Sequence, residues 1–519
     1  MNTRYKSLIA LCAMLMTILT GCTNEAETTE QAQTGKLQFC ITDAGMQQRT
    51  GSRAGIDTKT MTTTFEEGDK AGVFGVRNGE IVIDNLQLTY NINGFWDAPE
   101  AIDYTDDLAG VTFYGYYPYD ETMDIDPAAQ DPFAATVAEI TPEKNQATKA
   151  LFNKNDIMTS GATKADQKLH NVTMALSHRK AMINVELPNV YYSFTNKDLS
   201  TYVIAKAENA SFTLGGETVS PFFDEESQSY FLIVEPNTTD QFKVAFTSVG
   251  KEKEATVDNL SQINEGQYAN FKVDGGAQQI EHTLALGDYY CSDGYIFGSS
   301  TTVSEGMISN PYTGKDTKVI GVVYMLGTNE EMASKSSSWT HGYVLSTSQT
   351  ANSKWGSTNC ASYAVDWYSQ YGLTDSGKGG FKLTATFSQI GYSASKAWES
   401  VPNPVTINGN EVSVNDIMLD RIATQRNDYP APSSISSGWY IPGMWDWVNI
   451  YNSAASGAVA DAMTACGGTA YVASTVYWVS EIGLNSSKVY PYRFQASNAT
   501  AFARSNGTDS RAFRYILAF

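Results

Sequence analysis

Histidine is scarce in this chain, with four among 519 residues, and no nucleophile, acid and base stand together in a catalytic pattern. Positive charge is also short. The 35 Lys and Arg against 56 Asp and Glu leave a formal net charge of −21, which argues against nucleic acid, because phosphate binding needs a concentrated basic surface. Charged residues make up only 18%, below the usual ~25%. Polarity therefore comes from Ser, Thr, Asn, Gly and 30 Tyr, a surface that suits an exported β-rich protein. Cysteine is limited to six, without a C-x-x-C pair, and no apolar run approaches the ~18 residues of a membrane span. What is plentiful is core material. Hydrophobic residues are 42% and aromatics 12%, too apolar for a disordered chain, and the length suggests roughly three domains at ~150 residues each.

The amino terminus reads as a targeting signal. Arg4 and Lys6 precede an apolar stretch from Leu8 to Leu19 that is too short to cross a bilayer. Leu19-Thr20-Gly21-Cys22 resembles the lipobox of bacterial lipoproteins, which implies acylation of Cys22 and removal of residues 1–21. The acidic, structureless stretch after Cys22 reads as a tether, and it resembles the surface-export signal of Bacteroidetes lipoproteins. The lipid would then be the only membrane attachment, at the outer membrane.

Up to about residue 275 the patterning is that of strands. Leu37, Phe39 and Ile41 alternate with Gln38, Cys40 and Thr42, as in a half-buried strand. Further strands are expected at 71–77, 81–83, 86–90, 111–117, 172–176, 182–187, 230–234 and 242–246, with a turn at Asp84-Asn85 and a long loop over 132–151. Short strands punctuated by turns point to antiparallel sandwiches, not to a parallel α/β sheet.

Three segments in this region carry a resemblance. They are Phe65-Glu-Glu-Gly-Asp-Lys-Ala-Gly-Val-Phe74, Tyr90-Asn-Ile-Asn-Gly-Phe-Trp96 and Val111-Thr-Phe-Tyr-Gly-Tyr-Tyr-Pro-Tyr119. In their order they resemble motifs of the Bacteroidetes fimbrillin-like lipoproteins, subunits of type V pili. Asp156-Ile-Met and the stretch from His178 to Val185 match more loosely. The resemblance implies two tandem transthyretin-like sandwiches, here 56–180 and 181–280, after a tether and first strand at 22–55. It also implies cleavage after an arginine by an extracellular protease, with loss of the first strand and strand exchange with other pilus subunits. Arg49 and Arg53 are the only arginines between Cys22 and residue 60, and they follow the strand at Leu37 to Ile41. The residues alone leave equally open that this strand is retained. His178 and Arg179, set between strand-like runs, read as structural.

From residue 281 to 519 the character is α+β, and eight of the nine Trp lie here. Helical spacing is expected over Ala361–Tyr371, over Val414–Gln425 and from Pro442 through Tyr451, with a strand at the end from Phe513 to Phe519. Gly438-Trp-Tyr-Ile-Pro-Gly-Met-Trp-Asp-Trp447, Val476-Tyr-Trp-Val-Ser-Glu481 and Arg514-Tyr-Ile-Leu-Ala-Phe519 resemble C-type-lectin-like modules of bacterial surface proteins. That resemblance carries a fold but no particular ligand.

Most of these Trp residues are expected in the core. Trp445, Asp446 and Trp447 are candidates for an exposed ligand site, since neighbouring helical positions cannot all face inward, and Trp478 joins them as a ligand-binding candidate. A disulfide among Cys291, Cys360 and Cys466 and a set of buried free thiols both stay open. No cofactor, no metal and no enzymatic activity are expected: G-x-S-x-G, H-E-x-x-H and a D-x-D-x-D calcium loop are all missing. Two functions fit. One is a subunit of surface fimbriae, placed at the tip because the chain ends in a packed strand, with a glycan or protein on host or bacterial surfaces as ligand. The other is a non-polymerising surface lipoprotein that binds glycans.

Overall fold

The computed structural model describes residues 35–49, 60–257, 260–363, 366–375, 389–454, 457–486, 488–499 and 501–519. The signal segment, Cys22 and Arg53 lie outside the described residues. The chain is mostly β and divides into two compact units, residues 1–189 with 206–277, and residues 190–205 with 278–519. Val190–Ala205 thus belongs with the carboxy-terminal unit, because its strand Val190–Phe194 pairs with Gln278–His282 on one side and Tyr202–Ala205 on the other.

In the first unit the strands are β1 (Gln38–Asp43), β2 (Met46–Gln48), β3 (Thr60–Met61), β4 (Lys70–Arg77), β5 (Glu80–Tyr90), β6 (Trp96–Asp97), β7 (Thr112–Tyr117), β8 (Met158–Ser160), β9 (Thr163–Lys164) and β10 (Asn171–His178). One sheet runs β4-β5-β6-β1-β10-β8-β7-β9, and an additional β4–β7 pairing closes it on itself. The expected pair of strands around Asp84-Asn85 is one eleven-residue strand, β5. Asn85 takes a positive φ of 39° and the β4–β5 register shifts beside it, so a turn-like sequence is absorbed as a bulge.

The closed sheet is apolar on both faces. Inward side chains such as Phe39, Val73, Phe113, Tyr117 and Met174 form one core, and outward ones such as Phe74, Val76 and Tyr116 form another. Burial on both faces explains why β4 and β7 read as continuous hydrophobic runs and not as alternation. The outer core also explains why 132–151 is not the expected long loop. It contains helix Ala134–Glu139 and the start of helix Lys149–Asn155, and Phe133 and Val137 pack over Phe74 and Tyr116.

The remainder of this unit is a pair of facing sheets. A six-stranded sheet has the order Phe222–Asp224, Ser229–Val234, Ala181–Glu186, Gln267–Lys272, β2, β3, and a four-stranded sheet spans Glu208–Leu214, Glu217–Val219, Phe242–Ser248 and Lys251–Val257. Ile183, Val185, Leu232, Phe212, Phe242 and Val244 fill the space between them.

The second unit is built on Lys315–Leu326, which pairs with Tyr289–Cys291, Met307–Asn310 and Gly342–Ser346, and the last of these pairs with Ile516–Ala518. The terminal strand is therefore shorter than the expected Phe513–Phe519, although every residue from Ala512 on is buried. Helices Asp416–Asp428 and Met444–Ala454 fall where spacing placed them. Ala361–Tyr371 does not form an α-helix: its described parts are 3-10 turns at Cys360–Ser362 and Asp366–Tyr371, with Trp367 buried.

Close packing on the outer face of the closed sheet makes a sharp prediction. A Cβ at Gly72 would overlap the Tyr116 ring, and added bulk in a filled core costs about 1–3 kcal/mol. Gly72→Ala is expected to destabilise the first unit by that amount, read as a lower urea midpoint, while leaving the second unit's transition in place.

Candidate strand-exchange site

β1 is an interior strand. It runs parallel to β10 over six paired positions, from Gln38 opposite Asn171 to Asp43 opposite Leu176, and its other edge meets β6 where Phe39 faces Trp96. Leu37, Phe39 and Ile41 are buried. Phe39 meets Phe113 edge-on at 6.1 Å, and the Trp96 indole N–H donates to the Ile41 carbonyl at 3.2 Å. Each such side chain contributes about 1.5–3 kcal/mol by leaving water, so the strand's three apolar residues anchor it firmly.

The alternation does not stop at Ile41. Asp43 is next on the same inward face, and its side chain is only 2% exposed. Burial would raise its pKa, but the nearby His178 and the backbone N–H groups of Thr63 (2.5 Å) and Gly45 (2.6 Å) hold it below the usual carboxylate value. Asp43 Oδ1 lies 3.0 Å from His178 Nε2, and Asp156 Oδ1 accepts from His178 Nδ1 at 2.7 Å. Burial alone would lower the imidazole's pKa, yet the two carboxylates outweigh it and raise the value to about 10. His178 is thus an imidazolium between two acids, and it ties the end of β1 to the end of β10 and to the segment before β8. Sequence reasoning took His178 as structural and missed both acids. The available signal was Asp43 itself, an acid on the apolar face of an alternating strand, which requires a buried partner.

β2 continues the same segment into the six-stranded sheet, parallel to Gln267–Lys272 and antiparallel to β3. Arg49 lies at its end. Its N–H donates to the Tyr268 carbonyl at 2.7 Å, and its guanidinium donates to Gln262 Oε1 at 2.6 Å. Arg53 lies outside the described residues.

The second unit places the aromatic candidates differently from expectation. Only Trp445 is partly exposed, whereas Asp446, Trp447 and Trp478 are buried. Trp447 donates its indole N–H to the Trp478 carbonyl at 3.1 Å, and Trp478 donates to the Ser353 carbonyl at 2.8 Å. Rings that stitch backbone together inside the core cannot stack on a sugar. Asp446 Oδ2 accepts the Gly443 N–H at 2.8 Å, and Glu481 accepts the Met444 N–H at 2.9 Å. These two acids satisfy donors at the start of helix Met444–Ala454. Burial pushes the Asp446 carboxyl up to about 7. Cys291, Cys360 and Cys466 are buried free thiols, and burial raises Cys360 to about 12, which keeps it from acting as a nucleophile at neutral pH.

Two measurements follow from this geometry. The His178 pKa is raised above its ordinary 6.5, so its stabilisation is complete below about pH 6.5 and fades as pH rises toward about 10. The urea midpoint of the first unit is expected to fall across that window. His178→Gln should remove that slope and cost about 3–5 kcal/mol, because it strands buried carboxylates. In the second unit, Trp447→Ala or Trp478→Ala is expected to lose about 3–5 kcal/mol, read as a lower thermal midpoint.

Comparison with known proteins finds fimbrial relatives. A Bacteroides ovatus protein that carries the name fimbrium tip subunit Fim1C is 27% identical over 555 aligned positions, covering 98% of each chain. The crystal structure of a fimbrial protein from Bacteroides ovatus, 24% identical, aligns with a TM-score of 0.48 and covers 93% of this chain and 99% of that one. Residues 58–285 match the family described as Fimbrillin-like, and over that span the chain is similar to fimbrillin-like proteins.

Proposed function

We propose that this chain is a structural and adhesive subunit of surface fimbriae, held at first by a lipid on Cys22 and assembled by strand exchange after cleavage at Arg49 or Arg53. The observation that carries the reading is the position of β1 and β2. Both are interior strands of their sheets, and both lie ahead of those arginines. A cut there frees a segment whose loss leaves unpaired backbone on β10, β6 and Gln267–Lys272 and an apolar slot beneath them. Such an edge is a template for an extended strand of another subunit. The first unit then stands for the two transthyretin-like domains, one a closed sheet and the other a pair of facing sheets, and the second is a lectin-like module.

A tip position is the reading favoured by the second unit. Its strand Ile516–Ala518 is fully buried and paired with Gly342–Ser346, so it is committed to its own sheet and not available for donation. The name of the Bacteroides ovatus relative points the same way. A glycan or protein on another cell surface would meet the second unit through surfaces other than Trp447 and Trp478, because those rings are buried.

Mass spectrometry of fibres sheared from cells tests the processing step. An amino terminus at Thr50 or Ala54 is the expected result. Finding the chain only as the form lipidated at Cys22, with none in the sheared material, would sink the exchange model and leave a non-polymerising glycan-binding lipoprotein.

A further inference from the structure

The apolar slot beneath β1 leaves one question of specificity. Alternating apolar side chains fix which face of a strand points inward, because a one-residue slip turns every side chain over. They do not distinguish a register from one shifted by two residues, since apolar groups then fall in place of apolar groups. β10 presents Val172, Met174 and Leu176 inward, followed two residues later by His178, and all four are buried. β1 presents Leu37, Phe39 and Ile41 in the same sense, followed by Asp43. Each strand thus carries three apolar positions and then one charge, and the charges meet at 3.0 Å.

We infer that His178, held by Asp156, selects the strand that fills this slot: it requires an inward-facing carboxylate six residues after the first of three alternating apolar side chains. This rests on the strand-exchange reading and names its partner by chemistry, an extended segment of another subunit with the pattern apolar-x-apolar-x-apolar-x-acid, running parallel to β10 as β1 does. When β1 leaves, Asp43 leaves with it. His178 keeps Asp156 at 2.7 Å on Nδ1, while Nε2 loses its carboxylate at the end of the slot. A strand without the acid would leave that imidazolium edge facing an apolar or neutral group. A strand slipped by two residues would either bury its own acid among Met174 and Leu176 or withdraw it from His178. Both errors bury an unpaired charge, which is far costlier than a lost apolar contact. The ion pair therefore fixes the register that the apolar pattern leaves degenerate.

The test uses the full chain with a specific-protease site placed within residues 50–59 and nicked there, so that the resident segment is held non-covalently. Fluorescent peptides with the sequence of residues 35–49, native or carrying Asp43→Asn, are offered in exchange, and their binding is read by anisotropy. The native peptide is expected to take the slot, with the Asn peptide about 10- to 100-fold weaker, as for loss of the charge partner that lies 3.0 Å from His178. In a nicked His178→Gln chain the two peptides are expected to bind alike. The wild-type chain alone already decides the matter, so a poorly folding His178 variant does no harm. Equal binding of both peptides to the wild-type chain would overturn the selector while leaving the slot intact. Failure of either peptide to enter, with the resident segment retained in denaturant-free buffer, would overturn the strand-exchange reading and the selector with it.

Discussion

An imidazolium enclosed by two carboxylates is the interaction around which the first unit is arranged. His178 and its acids are nearly excluded from water, so none of the three is stable there by itself; each requires the others. That requirement places three distant segments together. The end of β1, the residues that lead into β8 and the end of β10 must all converge on one ring. A hydrophobic contact would tolerate a shift of an ångström or two among these segments, but a buried ion pair, held on its Asp156 side by a 2.7 Å hydrogen bond, does not. The cluster thus specifies arrangement more than it adds stability.

This constraint acts on a strand that is otherwise held by generic forces. β1 owes its strength to Leu37, Phe39 and Ile41 and to its two neighbours in the closed sheet, and many apolar strands would satisfy those terms. The same segment goes on through β2 into a second sheet, where Met46 packs with Met182, Phe231 and Tyr268. One short stretch of chain therefore completes both halves of the unit, and its boundary is Arg49. A segment that is integral to two sheets couples them, because its residues are packed into both cores.

Much of this was legible in the residues. β1, β4, β7 and β10 follow from alternation or from two-sided burial, and the arginines follow from their place after β1. What escaped reading was non-local. Helix Gly391–Ser400 opens with Gly-Tyr-Ser-Ala-Ser, a poor helix sequence, yet its first N–H groups at Tyr392 and Ser393 are met by the carboxylate of Glu331, sixty residues away in sequence. Helix Ala134–Glu139 is only six residues long with a single large apolar side chain, Val137, and exists because Phe133 and Val137 pack over Phe74 and Tyr116. Conversely, the aromatic spacing of Tyr363, Trp367 and Tyr371 promised an α-helix, and the chain instead turns in 3-10 segments that still deliver Trp367 to the core. Local pattern finds strands well here because the pleat repeats every two residues. It finds short helices badly because their ends are satisfied from elsewhere.

The same principle accounts for the Trp-rich motifs of the second unit. A glycine, a tryptophan and an acid at fixed spacing look from the sequence like a binding loop, and the structure gives them a construction role. Gly391 packs so tightly against Gly443 and Asp446 that any side chain there would collide. Asp446 and Glu481 bind the N–H groups at the start of Met444–Ala454, and the indoles of Trp398, Trp447 and Trp478 reach the carbonyls of Ser480, Trp478 and Ser353. A large aromatic ring with one donor suits this task, because it fills volume and satisfies a buried carbonyl with the same side chain. Motif strength in this unit therefore measures how much the fold needs those residues. Buried rings such as those of Trp398, Trp447 and Trp478 are kept for packing and for satisfying backbone carbonyls, and none of them meets solvent.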